Sequence, residues 1–265
     1  MKKINPKISL SILIFSATAL FPCINLAEKN QLIKTKSPIV LKSDHSKING
    51  KTGVFEHCGH AILVQGNLTL TADCLVGKKS KGGAYDFIIA KGNPATLIQK
   101  KPVNQEVLFV QGNSIKYSIQ SEQFHINGKA NLKLSNNKSS KKSNSQQHNK
   151  AKLNQLEILA DKINLINHHQ LNNHNIVSRE VFAFGKPLYI ELIKSGKTDL
   201  KATSNKLIFN TQTSNLKLFE NVIANLKLGQ ISAGVFEYNS KTQISSFEKS
   251  PNQQVEIIQT KKSPK

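Results

Sequence analysis

Beyond its first 27 residues, the apolar side chains of this chain recur at almost every second position, and few folds accept that period. In Leu68-Thr69-Leu70-Thr71-Ala72-Asp73, positions 68, 70 and 72 are apolar and 69, 71 and 73 are polar. Successive side chains of an extended strand point to opposite faces, so the pattern describes a strand with one dry face and one wet face. The alternation returns in Val107-Leu108-Phe109, in Ile115-Lys116-Tyr117-Ser118-Ile119, in Phe124-His125-Ile126 and in Ala130-Asn131-Leu132-Lys133-Leu134. Gln65-Gly66-Asn67 reads as a hairpin turn, and Gly112-Asn113 and Asn127-Gly128 read as turns that separate further strands of a meander. No stretch after the N-terminal segment offers helical spacing with caps for more than a couple of turns. An all-β protein is predicted.

The chain also echoes itself in order. Leu68-Thr-Leu-Thr-Ala-Asp73 returns as Leu156-Glu-Ile-Leu-Ala-Asp161, and Ala90 to Lys100 returns as Phe184 to Lys194. Asp73 and Asp161 fall at what the pattern treats as equivalent strand ends. Units of this kind continue one sheet pair more readily than they build separate globules. The expected organisation is a first β unit at 28–134, an insert at 135–152, a second β unit continuing the sheet at 153–258, and a tail at 259–265. The insert is rich in Ser, Asn, Gln and Lys and has no acid, a composition that cannot offset the entropy of ordering.

Lys2, Lys3 and Lys7 followed by the apolar run Ile8–Leu20 and the small residue Ala27 give residues 1–27 the form of a secretion signal, which would carry the mature chain across the inner membrane. The run is short for a membrane span, which needs about 20 apolar residues. The whole chain carries 37 Lys plus Arg against 16 Asp plus Glu, and the signal removes only lysines, so the mature protein stays strongly basic and suits an anionic partner. Solubility and protection of strand edges by Lys is the competing explanation of that charge. Nucleic acid is disfavoured as the partner by the signal, the low aromatic content and the lack of a binding motif. Three cysteines exclude a four-thiolate zinc site, and the glycines form no phosphate-binding signature. His57 and His60, and the group His168, His169 and His174, match no ligand spacing, so no metal or other cofactor is expected. Nor is a catalytic residue, because no nucleophile motif is present. If the chain reverses at Gly66, positions summing to 132 pair, which sets Cys58 opposite Cys74 for a disulfide, with two free thiols as the alternative.

Pro38-Ile-Val-Leu-Lys-Ser-Asp44, then Cys58-Gly-His-Ala-Ile-Leu-Val-Gln-Gly-Asn-Leu-Thr-Leu-Thr-Ala-Asp73, Gly92-Asn-Pro-Ala95 and Asn127-Gly-Lys-Ala130, resemble the LptA/OstA family of periplasmic lipopolysaccharide-transport proteins. The likeness covers residues 38–134 well and 155–258 more loosely. It implies an open twisted β-jellyroll, a non-enzymatic role in outer-membrane biogenesis, and a trough that shields the acyl chains of lipid A. It also implies head-to-tail docking on an LptC-like inner-membrane jellyroll, an LptD-like outer-membrane partner, or further copies of the chain. The edges for that docking would be Ile39, Val40 and Leu41 at one end and Val255 and Ile257 at the other. Alternation puts Ile62, Val64, Leu68, Leu70 and Ala72 on one inner face, opposite Phe124, Ile126, Ala130, Leu132 and Leu134. Read from the residues alone, that face is the filled core of a structural or interaction protein of the envelope. Under the resemblance it is a lipid groove.

Overall fold

A computed structural model describes residues 37–79, 85–101, 105–136, 153–169, 176–226, 229–251 and 253–259. The expected secretion signal, nearly all of the expected insert and all but the first residue of the expected tail lie outside them. The described residues form a single 14-stranded antiparallel sheet. Its strands are β1 (Ile39–Lys42), β2 (His45–Asn49), β3 (Val54–Gln65), β4 (Leu68–Lys79), β5 (Tyr85–Lys101), β6 (Glu106–Ser118) and β7 (Gln123–Asn136). They continue with β8 (Leu153–His169), β9 (Ile176–Lys194), β10 (Lys197–Asn210), β11 (Asn215–Leu226), β12 (Gly229–Asn239), β13 (Ile244–Glu248) and β14 (Glu256–Gln259). From β3 to β12 every strand pairs with the next in sequence. Strands β7 and β8 pair directly, so one ladder runs through both halves of the chain. Ser135 and Asn136, expected in the insert, extend β7 opposite Gln155 and Glu106.

Nearly all the long strands carry a break in register near their middle, and the breaks line up across the sheet. They fall between Cys58 and Ala61, Thr71 and Cys74, Lys91 and Ala95, Gln111 and Ser114, and Asn127 and Ala130. The line continues between Leu159 and Lys162, Ser204 and Lys206, and Phe219 and Val222. An extra residue on one side of a ladder bends the strand there and raises its twist. Gly128 and Lys129 show how the sequence permits this, since both hold a positive φ (75° and 48°), a conformation glycine adopts without steric cost. The meander is thus folded lengthwise along a convex ridge into two walls.

This ridge corrects two expectations. Gly112-Asn113 and Asn127-Gly128 are not hairpin turns but the bulges inside β6 and β7. Asp73 and Asp161 occupy equivalent places, as their echo implies, yet those places are mid-strand, on the ridge. The echoed segments Gly92-Asn93-Pro94 and Gly185-Lys186-Pro187 also share a ridge position, in β5 and β9. Gln65-Gly66-Asn67 does turn the chain, between β3 and β4.

The parity of that turn decides which side chains face inward. Gln65 pairs with Leu68, so two residues form the turn and directly opposed positions sum to an odd number. Leu63 faces Leu70 and Ala61 faces Ala72, all on the inner side, whereas Ile62 and Val64 lie opposite Thr71 and Thr69 on the outer side. Leu68 and Leu70 are buried and Ala72 packs on the core, as do Phe124, Ile126, Ala130, Leu132 and Leu134. Ile62 and Val64 therefore leave the candidate groove, and Ala61 and Leu63 take their places. Leu70→Ala should cost about 2–5 kcal/mol of stability. Ile62→Ala should cost about 1 kcal/mol or less in the same urea titration. Equal losses would contradict the assigned faces.

Candidate functional site

The inner faces of both walls form one apolar layer that runs from β1 to β12. Leu63, Leu70, Leu97, Leu108, Leu132, Ile158, Ile190 and Ala224 line one wall, here called the front. Phe55, Leu75, Ile88, Ile115, Ile126, Leu165, Val181, Leu218 and Phe236 line the back wall. Among the described residues, the only strands whose Cα atoms approach within 8 Å are hydrogen-bonded neighbours in the ladder. Front and back walls therefore meet through contacts that side chains make, with no ladder between them. No backbone hydrogen bond has to break for the walls to part.

The ridge closes one long side of this trough, and the hairpin turns form two rims along the other. At the rims the inward positions change from apolar to polar, and they bond across the gap. The Tyr117 hydroxyl on the back wall donates to Gln65 Oε1 on the front at 3.2 Å. Arg179 Nη2 on the back donates to Gln99 Oε1 on the front at 3.0 Å, and its other terminal nitrogen is paired with Glu106. Lys194 Nζ on the front donates to the Ser240 carbonyl on the back at 2.9 Å. The Tyr238 hydroxyl on the back donates to Asp199 on the front. Burial raises the pKa of Tyr117 and Tyr238 above the usual phenol range, so both remain donors. Together these contacts make a polar seam over an apolar interior.

Arg179 is the most heavily loaded point of the seam. It is 1% exposed, accepted by Asn167 Oδ1 at 3.1 Å as well as by Gln99, and shares Glu106 with Lys101 Nζ, which lies 3.2 Å from the same carboxylate. Burial lowers Arg179 to about 9. Burial, and then the neighbouring guanidinium, lowers Lys101 to about 7. Sequence reading missed this cluster, although one signal was available: Arg179 is the single arginine among the 37 basic residues.

Among the described residues, no further strand pairs at the two ends of the sheet. Strands β1 and β2 pair with the front and back halves of β3, and β14 and β13 pair in the same way with β12. Of the expected edge residues, Ile39 and Leu41 turn inward against the core, and Val40 is exposed. Val255 and Ile257 are exposed, as are Ile258, Ile48 and Ile244, so both edges carry apolar side chains in water. Beside the first edge an open cavity of about 930 Å³ is lined by Ile48, Val54, Phe55, Lys78, Lys79 and Tyr85.

Cys58 and Cys74 sit directly opposite one another on β3 and β4 and are joined as a disulfide, with Cα atoms 4.1 Å apart. The register beside the turn sums to 133, and the bulge at Gly59 and His60 brings it to 132 at the cysteines, so the pairing depends on the ridge as well as the turn. His60 lies on the ridge with Nδ1 2.8 Å from Asp44 Oδ2, and this hydrogen bond raises its pKa. His57 bonds Ser43 instead, and burial lowers it. His168 and His169 lie beside Glu180 and Glu122 respectively, on separate carboxylates, and His174 is outside the described residues.

The described residues thus form an open antiparallel sheet folded lengthwise over an apolar layer, a fold with no catalytic constellation to define it and with two edges that no other described strand covers. Residues 41–153 match the family described as LptA/(LptD N-terminal domain) LPS transport protein. The lipopolysaccharide export system protein LptH of Pseudomonas aeruginosa is 27% identical over 84 residues, which are 32% of this chain and 48% of that protein. The chain thus spans about half the length of this curated relative. The crystal structure of LptH, titled the LptA-homologous periplasmic component of the lipopolysaccharide transport device of that organism, aligns over 85% of this chain and 96% of its own, with a TM-score of 0.34 and 14% identity. Residues 41–153, less than half of the chain, are thus similar to the LptA and LptD N-terminal lipopolysaccharide-transport proteins.

Purified unreduced protein lacking the N-terminal 27 residues should add no alkylating reagent on denaturation, and two equivalents after reduction. Reduction should lower its stability by about 3 kcal/mol in the chain-entropy account of a loop of this size. Two modified cysteines before reduction would exclude the disulfide.

Proposed function

We propose that the mature chain is a periplasmic lipopolysaccharide bridge component. The acyl chains of lipid A lie between the front and back walls, and the lipid passes from inner to outer membrane through copies or partners joined edge to edge. The observation that carries this reading is the uninterrupted apolar layer, reaching from one free sheet edge to the other between walls held together by side chains. An acyl chain that enters replaces wall-to-wall contacts with wall-to-lipid contacts, so the protein loses little apolar burial. The lipid gains about 0.8 kcal/mol per methylene removed from water.

A dozen methylenes amount to roughly 10 kcal/mol, too much for a lone carrier to release quickly into water. Release is easy only into a neighbouring site of equal affinity. The unpaired edges of β1 and β14, with Val40, Val255 and Ile257 exposed beside them, suit strand addition by another jellyroll and would continue the trough into it. The match of residues 41–153 to lipopolysaccharide-transport proteins supports LptC-like and LptD-like partners at these edges. An N-terminal secretion signal would deliver the chain to that compartment.

The second reading, a structural envelope protein with a filled core, draws on the complete burial of Leu63, Leu70 and their neighbours. The two readings separate in cells. A photoreactive residue at Leu70 should crosslink to lipopolysaccharide and one at Thr69, on the outer face, should not. Crosslinks from Thr69 with none from Leu70 would favour the filled core.

A further inference from the structure

Every cation on the outside of this protein is a lysine, and the single arginine is placed inside, at the rim. There, among the described residues, two basic side chains draw on the same carboxylate. Lys101 and Glu106 are ladder partners at the front rim, and Asn167 and Arg179 are ladder partners at the back rim. Across the gap, Arg179 and Lys101 both use the Glu106 carboxylate, while Gln99 and Asn167 offer the guanidinium only neutral oxygens. Among these described groups one carboxylate serves both the arginine and the lysine, and burial, then crowding beside the guanidinium, keeps the lysine from holding a full charge. A buried charge is costly unless paired, so such a site favours one more negative group. A guanidinium matches a phosphate with two parallel hydrogen bonds, a geometry that lysine cannot supply.

Its position states where that group would come from. Arg179 stands where the inward side chains change from apolar Val181 to the polar rim, which is where the headgroup of a lipid must sit if its tails lie in the trough. We propose that Arg179 and Lys101, with Gln99 and Asn167, form a site for a phosphate on the headgroup of an acylated glycolipid, and that the phosphate opens the seam by displacing Glu106 from Arg179. The exchange leaves Glu106 on Lys101, 3.2 Å away, and gives each cation an anion of its own. It breaks the ion pair that ties the front wall to the back at mid-length, so headgroup capture and tail entry become one event. This inference rests on the proposed lipid-carrier function and adds to it the residues that recognise the headgroup.

The test titrates the protein lacking its N-terminal 27 residues with lipid A, with enzymatically dephosphorylated lipid A of the same acyl chains, and with inorganic phosphate as competitor. The unsubstituted protein should bind the phosphorylated lipid about tenfold or more tighter, the worth of a charged hydrogen-bonded pair. Arg179→Gln should abolish that preference while still binding the dephosphorylated form. The double variant Glu106→Gln/Arg179→Gln, which leaves no carboxylate stranded, should behave in the same way, so a fold lost in the single variant does not mask the result. Glu106→Gln alone should bind the phosphorylated lipid more tightly than the unsubstituted protein. Undiminished preference for phosphate in the double variant would overturn the site. So would competition by inorganic phosphate as strong as that by the lipid, which would mark a free-phosphate site. Failure of the unsubstituted protein to bind either lipid would instead overturn the carrier function and this site with it.

Discussion

The architecture depends on a hydrogen-bond ladder that never crosses the interior. Each strand bonds only to its neighbours in the meander, and the sheet is bent along one line of bulges, so the two walls share a ridge but no ladder. In a closed barrel the corresponding gap would be bridged by backbone bonds and the interior would be sealed. Here the long side opposite the ridge is held by side-chain contacts and not by a ladder, and no described strand pairs beyond the two ends of the sheet. An apolar interior that can be reached along its side and continued at its ends follows from this one constraint.

The seam qualifies how freely that interior opens. Tyr117 with Gln65, Arg179 with Gln99 and Glu106, Lys194 with Ser240, and Tyr238 with Asp199 cross the gap at intervals along its length. Neutral intramolecular hydrogen bonds contribute about 0.5–1.5 kcal/mol each and charged ones about 1.5–3 kcal/mol. A few such contacts are comparable to the gain from burying several methylenes, so under the proposed function the rims stay shut until a lipid enters. The polar contacts stand at the rims, where water and headgroups can reach them, and the ridge side of the interior is left to Leu, Ile, Val, Phe and Ala.

Much of this was legible in the residues, and the parts that were not have specific physical causes. Alternation in Leu68–Ala72 and Phe124–Leu134 identified the strands and most of the inner face, because a period of two admits no other regular structure. It misassigned Ile62 and Val64, because a turn of two residues and a turn of three differ by one position, and one position reverses every face of the strand. Asn127-Gly128 was read as a turn because its bulge uses the left-handed glycine that a turn also needs, and Gly112-Asn113 because the same residue types mark turns. Only the continued pairing of β6 and β7 on both sides tells them apart. The rim cluster was hidden because Gln99, Glu106, Asn167 and Arg179 lie up to 80 residues apart and continue alternating inner rows whose earlier members are apolar.

The central claim is that the rims separate when lipid enters while the ridge keeps the walls joined. Nitroxide labels at Asn67→Cys and Gln120→Cys, exposed turn positions on the front and back rims near the Gln65–Tyr117 contact, would report it by pulsed electron paramagnetic resonance. The distance between the labels should lengthen when lipopolysaccharide is added and return when it is removed. A distance that stays the same while the lipid is demonstrably bound would contradict the account.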